Sequence, residues 1–599
     1  MDDQRLFPTA STRDTFAYCW KQMRRDRASF AVAWTAIAAG TLASAVAGPL
    51  IFATLLARIA HLPARAGLWS SFGPLVISYA VVLLASTLLW RAAGWVNWGA
   101  TLRAFSRAIT NGYDHLIELS HAWHTDRPSG EVISTLETFS WAFVEIIDTA
   151  SWGALRVGIT ALGAIAVLAY AAWPVAVVMA ILVLVFAGVL WRRMAKVVAA
   201  EKEFADTHSQ ATGVIADTIA NLTTVRTQGA EDREMDHVAE VVAGSVRADL
   251  KARRVFSATR LQMESSMALL NWVAILVGLV LALHHVVAAG AIYLVLFYVT
   301  FVGGSLEESF EFVRSISRAA GRCAKFVGIA NTRPEIVDAS DATDLAVAGG
   351  AVEFRGVHFA YRQGRTLFEG LDLRIEPGEH VGLVGPSGSG KTTLTKLVLR
   401  FMDIQGGSIR IDGQDVSRVT QRSLRRRVSY VPQEPHLLHR SIAENICYGA
   451  VGLERPDMEL VHRVGRAAHV EEFVRELPEG YDTVVGERGL KLSGGQRQRV
   501  AIAQAMAKAA PVLILDEATS ALDSESEALV QEALWRLMEG STAIVVAHRL
   551  ATIARLDRIV VMDGGRIVEE GTHGDLLTGS DDGLYRRLWQ HQSGGFLAA

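Results

Sequence analysis

The chain has 599 residues, 50% hydrophobic and 20% charged, with 59 basic against 62 acidic side chains. Its mean hydropathy of +0.25 is high for a soluble enzyme, so part of the chain is expected in lipid; length and composition exclude a single small domain and a disordered chain. A formal charge of -3 leaves no global field of the kind that gathers nucleic acid, and three scattered cysteines, Cys19, Cys323 and Cys447, exclude a disulfide framework or a four-cysteine metal site.

Four long stretches lack Asp, Glu, Lys and Arg altogether: Ala28–Ala57, Ala66–Trp90, Val157–Trp191 and Ser265–Leu306. A helix crosses the hydrocarbon layer in roughly 20 residues, so the first two windows hold one span each and the longer two hold a pair each. The third breaks at Ala171-Ala172-Trp173-Pro174 and the fourth between His284 and Gly290. Six spans result, at about 29–57, 70–91, 152–171, 174–194, 263–284 and 290–310. A 30-residue first window is too long for the apolar core of a secretory signal, about 7–15 residues.

Cytoplasmic loops retain Lys and Arg. Six basic residues precede the first span, eleven fall in Arg192–Arg260, and Arg314, Arg318, Arg322 and Lys325 follow the sixth span, whereas the breaks inside windows three and four have none. Both termini are therefore expected on the cytoplasmic side of a multi-pass protein of the cytoplasmic (inner) membrane. The polar intervals Arg91–Arg156 and Arg192–Glu264 keep helical periodicity and read as extensions of the spans into the cytoplasm. Each is interrupted once, near Asp126–Gly130 and near Gln228–Ala230, where a short crossing element is expected to meet a cytoplasmic domain.

Domain boundaries are expected at 1–330 for the transmembrane domain, 331–350 for a linker and 351–599 for an α/β domain. Gly385-Pro386-Ser387-Gly388-Ser389-Gly390-Lys391-Thr392 fits G-x-x-x-x-G-K-[ST], follows the apolar run Val381–Val384 and opens a helix pattern beginning with Thr393. Glycines let the backbone wrap phosphates, Lys391 reaches the β- and γ-phosphates, and the Thr392 hydroxyl suits magnesium. Val512–Glu517 reads as a buried strand ending in two carboxylates, with Asp516 on the magnesium side and Glu517 placed to polarise the attacking water.

Leu492-Ser493-Gly494-Gly495-Gln496 is the signature pentapeptide of ATP-binding cassette proteins, and the whole chain resembles an exporter-type half-transporter of the ABC transporter family. The resemblance implies an α-helical polytopic membrane domain of six helices with long cytoplasmic extensions, fused to an α/β P-loop ATPase domain that uses ATP and Mg2+. It further implies that the anion site formed by Ser493, Gly494 and Gly495 serves nucleotide bound by a second half-transporter, so a dimer is expected, homodimeric in the favoured reading. Tyr361 resembles the adenine-stacking aromatic, Gln433 the glutamine that meets magnesium, Ser520-Ala521-Leu522-Asp523 the D-loop, and His548 the switch histidine near the γ-phosphate. The segments around Trp123–Glu131 and Asp217–Glu231 look like the two coupling regions. Gln504 and Leu438 stand where Arg and Phe are common in the family. No peptidase-like domain is read in the first 27 residues, against a bacteriocin-processing subtype.

The function implied is ATP-driven export of an amphipathic, lipid-like, drug-like or peptide substrate by alternating access, with membrane lipid as surroundings and no nucleic-acid partner. Uptake of a siderophore-like substrate and an ATP-gated regulator that does not transport stay open. Candidate substrate contacts are Arg156 and Asn271, each 14 residues from the outer end of its span at Tyr170 or His285, about 21 Å inward at 1.5 Å per residue. The alternative reading is that Arg156 extends to the inner interface and Asn271 bonds a neighbouring helix.

Overall fold

The computed structural model describes residues 8–59, 68–127, 129–284, 289–361, 364, 366–450, 452, 455–486, 489, 491–516, 524–546, 550–579 and 582–594. Two compact units emerge, Met1–Leu119 with His124–Arg333, and Ser120–Trp123 with Pro334–Ala599.

The first unit is helical. Among the described residues six helical segments are long and apolar enough to cross a membrane: Thr12–Ile59, Trp69–Glu118, Gly130–Ala171, Trp173–Ala220, Glu231–Val280 and Ala291–Ala330. Only 11–39% of each segment's apolar window is buried. Side chains such as Leu84, Leu88, Leu162, Leu184 and Trp272 remain exposed, an apolar surface that water would not tolerate and lipid would. The helix Leu68–Glu118 has 51 residues, about 75 Å at 1.5 Å each, more than twice the hydrocarbon thickness. The extensions read from the sequence are therefore continuous with the spans. The third and fourth spans meet at a single non-helical residue, Ala172 (φ -158°, ψ 73°), and Pro174 lies in the first turn of the next helix, where its missing N–H costs nothing.

Two spans loosen into π-helical turns, Ala43–Ala47 in the first and Thr149–Ala154 in the third. Both turns take on tertiary bonds. The Tyr298 hydroxyl, fully buried on the sixth span, donates to the Ala45 carbonyl at 2.9 Å. Ser151 accepts from the Trp34 indole N–H at 2.9 Å and donates to Asn97 Oδ1 at 3.2 Å. In apolar surroundings each such pairing avoids an unsatisfied polar group. Gly153 is required by space, because a Cβ there would sit 2.6–2.8 Å from ring carbons of Phe312.

At the two interruptions lie short helices, His121–Thr125 and Leu222–Thr227. Each immediately precedes the break expected from the sequence.

The second unit is α/β. An antiparallel sheet contains β1 (Val352–Ala360), β2 (Thr366–Ile375), β4 (Gly406–Ile411) and β5 (Gln414–Asp415), in the order β2-β1-β4-β5. A second sheet contains β3 (His380–Val384), β6 (Val428–Val431), β7 (Val512–Asp516), β8 (Thr542–Val546), β9 (Arg558–Asp563) and β10 (Arg566–Gly571), in the order β10-β9-β3-β8-β7-β6. Pairing from β9 through β6 is parallel. Every residue of β7 and β8 is buried, which explains why Val512–Leu515 and Ala543–Val546 are continuous apolar runs rather than alternating ones.

The segment leading into the second unit is held along its length. Thr343 donates its N–H to the Arg418 carbonyl at 3.2 Å and accepts from Thr420 at 2.9 Å. Asp412, in the two-residue turn between β4 and β5, accepts backbone N–H groups from Ala348 (2.7 Å), Gly349 (2.9 Å), Gly350 (3.0 Å) and Ala351 (2.7 Å). Residues read as a linker are thus tied to the domain they introduce.

Candidate nucleotide site and membrane cavity

The carboxyl ends of parallel strands are where an open α/β sheet leaves room for a ligand. The loop Gly385–Gly390 leaves β3 there and opens the helix Lys391–Val398. Gly385 and Gly390 hold φ of 153° and 108°; a Cβ on Gly390 would also lie 2.8 Å from the Phe368 ring. The close turn therefore depends on glycine. Ser389 and Lys391 are buried, while Ser387, Gly388 and Thr392 are exposed. The Lys391 ammonium donates to the Gly385 and Pro386 carbonyls at 2.8 and 3.0 Å, which fixes a positive charge within a loop whose helix N-terminus already favours an anion.

Asp516 ends β7 at 5% exposure, and Gln433 follows the neighbouring strand β6 by two residues. The Tyr430 hydroxyl on β6 donates to Asp516 Oδ2 at 3.1 Å. Burial first, and the Asp516 charge second, push the Tyr430 pKa up, so the phenol stays a donor at any working pH. The sequence reading missed Tyr430, because its place beside Asp516 arises only from the pairing of β6 with β7.

Tyr361 follows β1. Its hydroxyl shares a 2.6 Å hydrogen bond with Thr393 Oγ1, and its ring meets Phe359 edge-on at 5.1 Å. This ties a 43% exposed aromatic ring to the first turn of the P-loop helix, leaving a face for a flat ligand.

Ser493 caps the helix Gly494–Lys508 through a capping box. Its Oγ accepts from Gln496 N–H at 3.2 Å, and the Gln496 side chain accepts from Ser493 N–H at 2.9 Å. The hydroxyl proton of Ser493 is not consumed by that box and is available to an anion. At the other end, the Lys508 ammonium donates to the Arg425 and Val428 carbonyls at 2.6 and 2.7 Å, and burial draws its pKa down to about 8. Glu517, Asp523 and His548 lie outside the described residues.

The first unit contains a cavity of about 460 Å³ among its spans. Trp90, Trp152 and Phe312 supply aromatic walls, and Arg156, Glu308 and Glu311 supply charge. Arg156 Nη2 pairs with Glu308 Oε2. Asn271 does not line this cavity; its carboxamide faces the sixth span at Gly303, 3.3 Å from where a Cβ would stand. Glu308, Trp90 and Trp152 had no sequence signal tying them to Arg156.

Together these features define a P-loop ATP-binding cassette joined to a six-helix membrane domain. The family described as ABC transporter transmembrane region matches residues 33–306, and the family described as ABC transporter matches residues 368–520. The chain belongs to the ABC transporter family, with the half-transporter architecture of an exporter. A solved bacterial Atm1-family ABC exporter with ATP bound superposes with a TM-score of 0.85 at 29% identity, over 95% of this chain and 98% of that one. An uncharacterized ABC transporter ATP-binding protein of Haemophilus influenzae is 42% identical over 404 residues, 66% of this chain and 64% of the relative. An ATP-dependent lipid A-core flippase of Alkalilimnicola ehrlichii is 51% identical over 267 residues, 44% of this chain and 45% of the flippase. The chain thus spans less than two thirds of the length of these two curated relatives.

Proposed function

We propose that two copies of this chain, each with both termini in the cytoplasm, hydrolyse ATP to export an amphipathic cargo by alternating access. The observation that carries this reading is the P-loop and Asp516 at the carboxyl ends of parallel strands of one sheet, in a chain whose other unit offers, among the described residues, six exposed apolar spans. Lys391 and the loop N–H groups would hold the β- and γ-phosphates, and Tyr361 would stack on the base. Glu517 would orient and deprotonate the attacking water, and His548 would contact the γ-phosphate. Ser493 with Gly494 and Gly495 would close over nucleotide held by the other copy, with Gln496 fixing the cap and Asp523 lying at the same closure.

Thr392, Gln433 and Asp516 offer hard oxygen donors that fit Mg2+. Among the described residues no group of three or more His, Cys, Asp or Glu could hold a metal by itself. Thr392, Gln433 and Asp516 would hold the ion, which would supply neutralisation of phosphate charge there.

Closure of the cassettes would move the membrane helices through the two short elements. The first of these contains His121, which stacks on Phe401 of its own compact unit at 4.9 Å. The flippase likeness covers less than half of the chain and assigns it no cargo.

The testing experiment is Glu517→Gln in the full-length protein. Nucleotide binding is expected to persist while ATPase turnover falls by about 10²- to 10⁴-fold, the usual contribution of a positioned base. Turnover close to wild type removes Glu517 from that role.

A further inference from the structure

Ionisable groups within spans are costly, and they are kept where they face a cavity or one another. Arg156 and Glu308 do both, forming an ion pair at the wall of the 460 Å³ cavity. The pair is not sealed away: side-chain exposure is 35% for Arg156 and 51% for Glu308. A second carboxylate, Glu311, lines the same cavity at 46% exposure. Its nearest cation is Arg314, 3.8 Å away. That guanidinium donates instead to Glu201 Oε1 from Nε at 2.9 Å and from Nη2 at 2.5 Å, and it lies over the Phe256 ring at 4.1 Å. Among the described residues the lining thus carries one cation, Arg156, against two anions, Glu308 and Glu311, and that cation is already paired with Glu308.

The remaining wall is aromatic. Trp90 and Trp152 come from the second and third spans and Phe312 from the sixth. Trp152 belongs to the π-helical turn Thr149–Ala154, a local rewinding that resets which side chains face a given neighbour. Gly153 in that turn lets the Phe312 ring close against the third span. Aromatic faces attract cations, most strongly where water is excluded. The volume lies within the range of small-molecule sites.

We propose that this cavity is a subsite for a hydrophobic organic cation, with the positive centre seated between Glu308 and Glu311 and the apolar body against Trp90, Trp152 and Phe312. Arg156 occupies Glu308 in the empty cavity and is displaced from it by the incoming charge. The proposal rests on the export reading in one respect, that the bound cation is cargo.

Tetraphenylphosphonium and tetraphenylborate have the same shape and opposite charge, so comparing them isolates the charge term. Equilibrium dialysis of the full-length protein in dodecylmaltoside, an uncharged detergent, is run with empty micelles subtracted. Saturable binding of tetraphenylphosphonium is expected, at least about tenfold tighter than that of tetraphenylborate, a ratio within reach of one desolvated charge contact. The double variant Glu308→Gln/Glu311→Gln should lose most of that preference, whereas Arg156→Gln, which removes the internal competitor, should bind tetraphenylphosphonium more tightly than wild type. The last result separates a competing ion pair from a structural one, since a scaffold defect would weaken binding. Equal binding of the two probes by wild type overturns the proposal, as does an Arg156→Gln protein that binds the cation more weakly. Binding as expected without ATP-driven flux of the same probe would retain the subsite and reject the export reading.

Discussion

At the residue scale the nucleotide site depends on neighbours that orient its carboxylates. Asp516 is 5% exposed, and the Tyr430 hydroxyl donates to its Oδ2. A carboxylate ligand held in this way presents its other oxygen with little freedom, and losing such an outer partner commonly costs 10- to 100-fold in metal affinity or activity. Tyr430→Phe keeps the ring in place and deletes the donor, so the magnesium concentration for half-maximal ATPase is expected to rise about tenfold. Titrating magnesium at saturating ATP checks this, and an unchanged midpoint would make Tyr430 a packing residue. The P-loop, Asp516 and the signature were legible in the sequence because each is a local pattern whose chemistry needs consecutive residues. Tyr430 was not, because its role arises only when β6 pairs with β7. The same holds for Glu308, which is 152 residues from Arg156 in sequence and bonded to it in space.

At the element scale, the membrane helices were legible from missing charge alone, since a span can afford almost none. Their π-helical turns were not. Ala43–Ala47 and Thr149–Ala154 contain nothing that distinguishes them from ordinary helix, and the bonds from Tyr298 to Ala45 and through Ser151 supply the reason only after folding. The segment before β1 looked like a linker because Gly and Asp punctuate it; what it lacked in pattern it gains from Asp412. That residue sits at φ 48° and is followed by Gly413 at φ 78°, the two-residue Asp-Gly turn that hairpins favour. Although burial pushes its pKa up, the N–H groups of Gly350, Gly349, Ala348 and Ala351 hold it below the ordinary 3.8. A carboxyl with a lowered folded-state pKa contributes stability above its unfolded value, and that contribution is lost as pH falls through the folded one. Asp412→Asn tolerates the same backbone and loses the charge. It is expected to destabilise the cassette by about 1–2 kcal/mol at pH 7, the lower range for charged hydrogen bonds because the site is partly solvated. In thermal melts of the full-length protein the gap from wild type should close as pH is lowered from 7 toward 3.8 and below; a gap independent of pH would assign the loss to the turn rather than to the charge.

At the scale of the whole molecule, the question is which copy of the signature helix completes a given nucleotide site. The P-loop follows β3 and the signature opens the helix Gly494–Lys508, which Lys508 pins to the β6 edge of the sheet through Arg425 and Val428. One chain thus presents two anion-seeking helix N-termini on separate elements, and the proposed dimer would have a single triphosphate engage one from each chain. The sequence made this arrangement readable through family resemblance, whereas composition and periodicity of one chain carry no information about a second. Complementation distinguishes the cases. Lys391→Ala and Ser493→Arg are each expected to abolish ATPase activity when expressed alone. If each site combines the P-loop of one copy with the signature of the other, a mixed dimer of the two variants contains one site with both defects and one with neither. Co-expression with different affinity tags, followed by tandem purification, should therefore restore hydrolysis in the mixed species. If both elements of a site came from the same chain, every site in that mixed dimer would carry a defect and no activity would return.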